Sequence, residues 1–127
     1  MTGIMCVLVG GQSGPPLAVT GGSTTASGSA TRSGAGSAIV TSSVATVGTV
    51  TGGTPPYSYL WQYVSGDSTV LVSTNTASNT TFYSNITIGY GGTTTKNSVY
   101  HCQVTDNVGT VVYGVNCAVD LTLSDST

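Results

Sequence analysis

The stretch VVYGVNCAVDLTL, residues 111–123, decides the fold that this sequence predicts. Its odd-numbered positions are all apolar, whereas its even-numbered positions include glycine, asparagine, aspartate and threonine. Side chains alternate between two faces along a strand, so this pattern predicts one long strand with a core face and a solvent face. The predicted core face consists of Val111, Tyr113, Val115, Cys117, Val119, Leu121 and Leu123.

The composition of the 127-residue chain favours a single all-β domain. Threonine, valine and tyrosine favour strands, glycine favours turns, and strong helix formers other than alanine are scarce. Only 5% of the residues are charged, and Arg32 and Lys96 are the only cations. Because nucleic-acid binding needs clustered lysine and arginine to neutralise phosphates, we expect no nucleic-acid partner.

The apolar run Ile4–Val9 is too short to span a bilayer, and no lysine or arginine precedes it. We therefore expect neither membrane insertion nor a secretory signal. We expect the protein to be made in a cytoplasm. The cysteines Cys6, Cys102 and Cys117 form no CxxC pair and no zinc-binding spacing, so the sequence predicts free thiols and no cofactor.

The chain is predicted to divide into an N-terminal arm and linker over residues 1–37 and a folded domain over residues 38–127. Residues 10–36 are rich in Gly, Pro, Ser and Thr, which is typical of a flexible linker or of an extended edge element. The arm either pairs with a sheet edge of a neighbouring subunit or folds back as the first strand of its own domain. Its apolar residues are Ile4, Met5, Val7, Leu8 and Val9.

The domain itself shows a series of short strand patterns separated by turns. Residues 89–97 are predicted to be loop, and Asp106 to Gly109 form a hairpin connection. A hairpin that pairs Thr105 with Thr110 would place Cys102 and Cys117 about 13 Å apart, too far for a disulfide. The strand patterns lie at residues 38–51 (one or two strands, register open), 57–64, 70–73, 80–88, 98–105 and 111–123.

Two segments resemble bacterial and phage immunoglobulin-like and PKD-like modules: GGTPPYSYLWQ (residues 52–62) and YHCQVTDNVGT (residues 100–110). The resemblance implies an immunoglobulin-like β-sandwich of about seven strands, with Trp61 in the core and Tyr100 as a tyrosine corner. Residues 44–47 lack the cysteine that would pair with Cys102 in an immunoglobulin domain. The predicted core residues are Tyr59, Trp61, Tyr100, Cys102, Val115, Cys117, Val119 and Leu121.

The titratable residues do not predict an enzyme. His101 is the only histidine, and strand alternation places it on the face opposite Cys102. Asp67, Asp106 and Asn107 could supply oxygen ligands to calcium, but all three occupy turns, where local Asx hydrogen bonds explain them equally well. We therefore expect a non-enzymatic protein without a metal site.

The whole arrangement also resembles a class of tailed-bacteriophage virion proteins that combine an apolar start, a Gly/Ser/Thr-rich stretch and an immunoglobulin-like domain. This resemblance implies a virion structural protein at the tail tip or fibres, made in the host cytoplasm. The alternatives are a decoration protein on the head and a bacterial surface adhesion module. The implied partners are tail or capsid subunits, further copies of this chain, and a host glycan or receptor. Tyr57 and Tyr90 could form a weak glycan or receptor surface, but ordinary packing is the better explanation of both.

Overall fold

The computed structural model describes residues 15–127, and in this range it contains strands and turns but no helix. The all-β class predicted from composition is confirmed. The strands are β1 (Ala18–Thr20), β2 (Thr25–Arg32), β3 (Gly36–Thr41), β4 (Ala45–Thr46), β5 (Thr49–Thr51), β6 (Ser58–Gly66), β7 (Leu71–Val72), β8 (Asn79–Thr80), β9 (Phe82–Ile88), β10 (Thr93–Thr105), β11 (Val111–Tyr113) and β12 (Cys117–Asp125).

The larger sheet has five strands and is built around β10. One edge of β10 pairs antiparallel with β6. The other edge pairs antiparallel with β12 along residues 93–100 and with β11 along residues 103–105. β12 also pairs with β2, and this pair is parallel.

The smaller sheet has the order β3, β9, β7, and two separate short antiparallel pairs are formed by β1 with β5 and by β4 with β8. Across the interior, β9 contacts β10 and β12, and β3 contacts β2 and β12. The two main sheets therefore pack face to face, which is consistent with a β-sandwich.

Alternate residues of the facing strands fill the interior. Phe82, Ile86 and Ile88 of β9 are buried, as their spacing predicts. Burial of these apolar side chains supplies the main favourable contribution to folding. The larger sheet contributes Trp61 from β6, Tyr100, Cys102 and Val104 from β10, and Cys117, Val119, Leu121 and Leu123 from β12.

The aromatic side chains of the interior form one contact group. The Phe82 ring lies 5.8 Å from the Trp61 ring, edge to face, and 4.8 Å from the Tyr100 ring, while Tyr59 is partly buried beside this core. Trp61 Nε1 donates to the Ala77 carbonyl at 2.8 Å. The Tyr100 hydroxyl donates to the carbonyl of Val70, 30 residues earlier in the chain. A tyrosine corner bonds to backbone only a few residues upstream, so the expected corner is not formed.

The predicted single strand over residues 111–123 is wrong, because Gly114 to Asn116 interrupt it. Gln103 pairs with Tyr113 and Tyr100 with Cys117, so three residues of this segment face only two residues of β10. Such a β-bulge changes which face the later side chains occupy. Odd positions therefore point outward in β11 and inward in β12, and Val115 is 45% exposed instead of buried.

The predicted hairpin register is also wrong. Thr105 pairs with Val111 instead of Thr110, and the bulge then brings Cys117 opposite Tyr100. Cys102 and Cys117 are thus two strand positions apart along β10 instead of four. Both are buried free thiols, as predicted.

The predicted domain boundary at residue 38 is wrong, because the sandwich includes residues from β1 onward. β2 pairs with β12 along eight residues and buries Ala26. Its alternate glycine, alanine and serine residues let it lie close to β3: a Cβ on Gly28 would stand 2.1 Å from the Thr41 carbonyl oxygen. Between β1 and β2, Gly21 and Gly22 adopt positive φ, a backbone conformation that glycine adopts without steric cost.

Two further strand boundaries differ from the prediction. Residues 93–97 belong to β10 and not to a loop, because β12 continues to pair with them. Residues 38–51 form parts of three strands, β3, β4 and β5, that pair with different partners. Gly48, with φ of 105°, separates the last two.

Candidate functional site

The predicted assembly arm, Ile4, Met5, Val7, Leu8 and Val9, lies outside the described residues, as does Cys6. The candidate surface that the structure adds is the outer face of the five-stranded sheet. One half of this face is a group of exposed or half-buried side chains on β6, β10 and β11. We call it the aromatic–amide patch; it comprises Leu60, Gln62, His101, Gln103, Val111 and Tyr113.

Strand pairing brings these side chains to one side of the sheet. Gln103 of β10 pairs with Leu60 on one side and Tyr113 on the other, and His101 pairs with Gln62. Residues directly opposite in a sheet project from the same face, so the pairs form a continuous surface across three strands. Leu60, Val111 and Tyr113 are 36%, 41% and 55% exposed.

A chain of side-chain hydrogen bonds orders the patch. Gln62 Oε1 lies 3.1 Å from His101 Nε2, and Gln62 Nε2 donates to Gln103 Oε1 at 3.0 Å. Gln103 Nε2 then approaches Thr105 Oγ1 at 3.5 Å. Each glutamine amide has two N–H donors and two acceptor positions. Each therefore keeps one N–H donor and one acceptor position for another partner.

The ring of His101 stacks on that of Tyr113, with centroids 4.8 Å apart and an interplanar angle of 30°. This contact joins β10 to β11 just before the bulge. More than half of the Tyr113 side chain is exposed in spite of this contact. The patch therefore presents an aromatic group to solvent.

The other half of the same face is a hydroxyl surface. Thr95 pairs with Thr122, which pairs with Ser29, and Thr93, Ser124 and Thr31 form the next row. The Thr95 and Thr122 hydroxyl oxygens are 2.8 Å apart. Among the described residues at the outer positions of β2, β10 and β12, Asp120 is the one with a charged side chain, and it is exposed.

The remaining aspartates are engaged by the fold. Hydrogen bonds from the hydroxyl and N–H of Thr69 hold the pKa of Asp67 below its usual value. Burial raises the pKa of Asp106, but N–H donors of Thr54, Thr110, Val108 and Gly109 outweigh this and lower it overall. Local Asx hydrogen bonds, the alternative to calcium binding that the sequence leaves open, therefore describe both turns. In residues 15–127 no group of His, Cys, Asp or Glu is arranged to hold a metal.

The carboxylate of Asp125 closes one end of the sandwich. Its carboxylate accepts hydrogen bonds from the Thr127 hydroxyl at 2.6 Å, the Gly91 N–H at 2.7 Å and the Gly34 N–H at 2.9 Å. These donors lower its pKa well below the ordinary range. The carboxylate thus ties the ends of three segments together.

The two buried thiols differ from reactive cysteines. Burial raises the pKa of Cys102 to about 11 and also raises that of Cys117. A reactive cysteine needs a lowered pKa and partial exposure. His101 lies on the opposite face of β10 from Cys102, as predicted, so the two do not form a nucleophile pair.

The two tyrosines considered for glycan contact lie apart from the patch. Tyr90 is 86% exposed in the turn after β9, next to Gly34. The Tyr57 hydroxyl donates to the Gly52 carbonyl at 2.6 Å and is half-buried. The sequence pattern does not predict the patch, because it assigns the apolar residues of β11 to the core. The signal that could have indicated the patch is the occurrence of Leu60, Gln62 and Val64 at every second position of one strand.

Comparison of the chain with protein-family models, with curated proteins and with solved structures finds no match in any of the three. Within residues 15–127, no helix of sufficient length and apolarity to cross a membrane is present.

Proposed function

We propose that this chain is an immunoglobulin-like β-sandwich that serves as a non-enzymatic structural module of a tailed-bacteriophage particle. The observation that supports the fold most strongly is the division of strands between sheets. An immunoglobulin domain places its second, fifth and fourth strands in one sheet and its third, sixth and seventh in the other. Taking β3 as the second strand, the two sheets of this chain, β3-β9-β7 and β6-β10-β11/β12, have the same division.

The strands before β3 are arranged differently from that division: β1 pairs with β5, and β2 pairs with β12 in the larger sheet. Trp61 lies directly opposite Cys102 in the core, the positions that the sequence resemblance assigns to them. Residues 44–47, where the resemblance would place the partner cysteine, lie in and around β4, after the strand taken as the second.

The proposed role is attachment through the N-terminal arm and outward display of the sandwich, with the tail tip or fibres as the first location. The sequence resemblance to virion proteins supports this role. The outer face of the larger sheet supports it too: surface with almost no charge is well suited to burial against neutral protein subunits in an assembly. A host glycan or receptor is a proposed further partner.

The experiment that tests this role compares the full chain with a variant that lacks Met1 to Gly11. We expect the shortened protein to remain folded, as judged by the fluorescence of Trp61, and to lose binding to purified phage particles. Binding that survives the deletion would contradict attachment through the arm. Unfolding on deletion would instead assign the arm to the domain as its own first strand.

Location on the particle separates the alternatives. Gold-labelled antibody against the sandwich should decorate tails if the first location is correct and heads if the protein is a capsid decoration protein. Recovery in host envelope fractions but not in purified particles would contradict both and favour the bacterial adhesion module.

A further inference from the structure

The outer face of the five-stranded sheet has no covering element within the described residues, although one half of it carries apolar side chains. Leu60, Val111 and Tyr113 are each at least one-third exposed, and Val64 beside them is 41% exposed. Exposed apolar side chains that are contiguous mark interaction surfaces more often than chance. Aliphatic groups gain most from a partner that is itself apolar, which favours a protein surface over a polyhydroxylated glycan.

The polar groups of the face have a property that selects among protein partners. Glutamine amides and tyrosine and threonine hydroxyls each contain both a donor and an acceptor. A surface built from such groups can pair with an identical surface, whereas a cluster of lysines or aspartates would repel itself. Gln62 and Gln103 each retain one N–H and one acceptor position, the set that two amides need to pair with each other.

The size of the face is sufficient for this partner. β10 has 13 residues, which at ~3.3 Å per residue spans ~43 Å, and three strands, the number that lie side by side along most of β10, span ~14 Å at ~4.8 Å spacing. The product, ~600 Å², is at the lower end of the area that each partner contributes to a specific protein interface. Asp120 lies on β12, outside the aromatic–amide patch, and the patch contains no lysine, arginine, aspartate or glutamate.

From these observations we infer that the outer face of the five-stranded sheet binds the same face of a second copy of this chain, with the aromatic–amide patch at the two-fold axis. In an isologous interface of this kind, every contact occurs twice, once on each side of the two-fold axis. The glutamines then lie near their counterparts, and the exposed apolar side chains are covered. This inference does not depend on the virion role, because it concerns the purified chain alone.

Light scattering of the purified full chain over a micromolar concentration series tests the inference. We expect the mass to rise towards that of two chains. Gln62→Glu adds a carboxylate at the two-fold axis without changing side-chain shape, and it should weaken the dimer at least about tenfold because like charges are brought together. Asn85→Asp is the matched control: it makes the same amide-to-carboxylate change on the exposed face of the smaller sheet and should leave the dimer intact.

Tyr113→Ser provides a second, uncharged variant, and it should also weaken the dimer because it removes the exposed aromatic contact. Trp61 fluorescence verifies that each variant is folded. A wild-type chain that stays monomeric over the whole series would overturn the inference. So would a dimer that the Gln62→Glu and Asn85→Asp variants weaken equally, or one that folded Gln62→Glu and Tyr113→Ser variants leave unchanged. Monomers that bind a neutral glycan array through Tyr113 would assign the face to carbohydrate instead.

Discussion

Ile86 and Ile39 are the same residue type on two paired strands of the smaller sheet, yet their surroundings are opposite. Ile86 points between the sheets and is fully buried, whereas Ile39 points outward and is 58% exposed. The strand period of two accounts for the difference. Substitution of these two residues therefore measures the contribution of core burial to stability, with Ile39 as the internal control.

Replacement of Ile86 by alanine should lower the free energy of unfolding by about 2–5 kcal/mol, because it removes buried methyl groups and leaves a cavity. Ile39→Ala should change it by less than about 0.5 kcal/mol, as expected for an exposed position. Urea unfolding followed by the fluorescence of Trp61, the only tryptophan, measures both. Equal effects of the two substitutions would contradict the assignment of inner and outer faces.

Residues of the core are the part of the structure most accessible to sequence reasoning. The alternation in β9, β10 and β12 correctly indicates the buried side chains, because burial of alternate apolar residues is what a half-buried strand requires. The same rule misplaces Val115, since one inserted residue at the bulge reverses the alternation. An alternating pattern alone cannot reveal that insertion, because apolar residues occupy both the outer face of β11 and the inner face of β12.

At the level of strands, β2 shows how a segment with the composition of a linker can become part of a sheet. Its serine, threonine and glycine residues carry little apolar surface, so its sequence predicts weak structure. The parallel pairing with β12 supplies the backbone hydrogen bonds, and the small side chains permit close approach to β3. The position of β2 is therefore determined by its partners.

Gly28→Ala tests this dependence on close approach. The added Cβ would stand 2.1 Å from the Thr41 carbonyl oxygen, a backbone atom, so one strand must move. We expect a loss of about 1–3 kcal/mol or more in unfolding free energy, as for overpacked sites. Gly89→Ala is the control, because a Cβ added there would meet no atom within 4 Å and the φ of Gly89 is not positive. An unchanged urea midpoint for Gly28→Ala would show that β2 does not dock as described.

For the whole molecule, the carboxylates link stability to pH. Asp67, Asp106 and Asp125 all have pKa values below their ordinary value of 3.8 in the folded state. The unfolded chain therefore binds more protons than the folded chain in acid. The stability that these carboxylates contribute is complete above the unfolded pKa and is lost as the pH falls through the lower, folded values.

We expect the unfolding free energy to be nearly constant between pH 7 and about pH 5 and to fall steadily below about pH 4. Asp106→Asn should destabilise the protein at neutral pH and also flatten this acid decline, because it removes one of the shifted groups. Urea unfolding at a series of pH values measures both effects. A wild-type stability that stays constant or rises towards about pH 2.5 would contradict the assignment.

The sequence by itself determined the all-β class, the buried faces of β9, β10 and β12, and the outward position of His101, because these follow from local composition and strand period. Only the tertiary structure decided the bulge, the incorporation of β2 and the aromatic–amide patch. Each of these depends on which strand lies beside which, and pairing between residues far apart in the chain leaves little local signal. The patch in particular exists because β6, β10 and β11 bring Leu60, Gln103 and Tyr113 side by side.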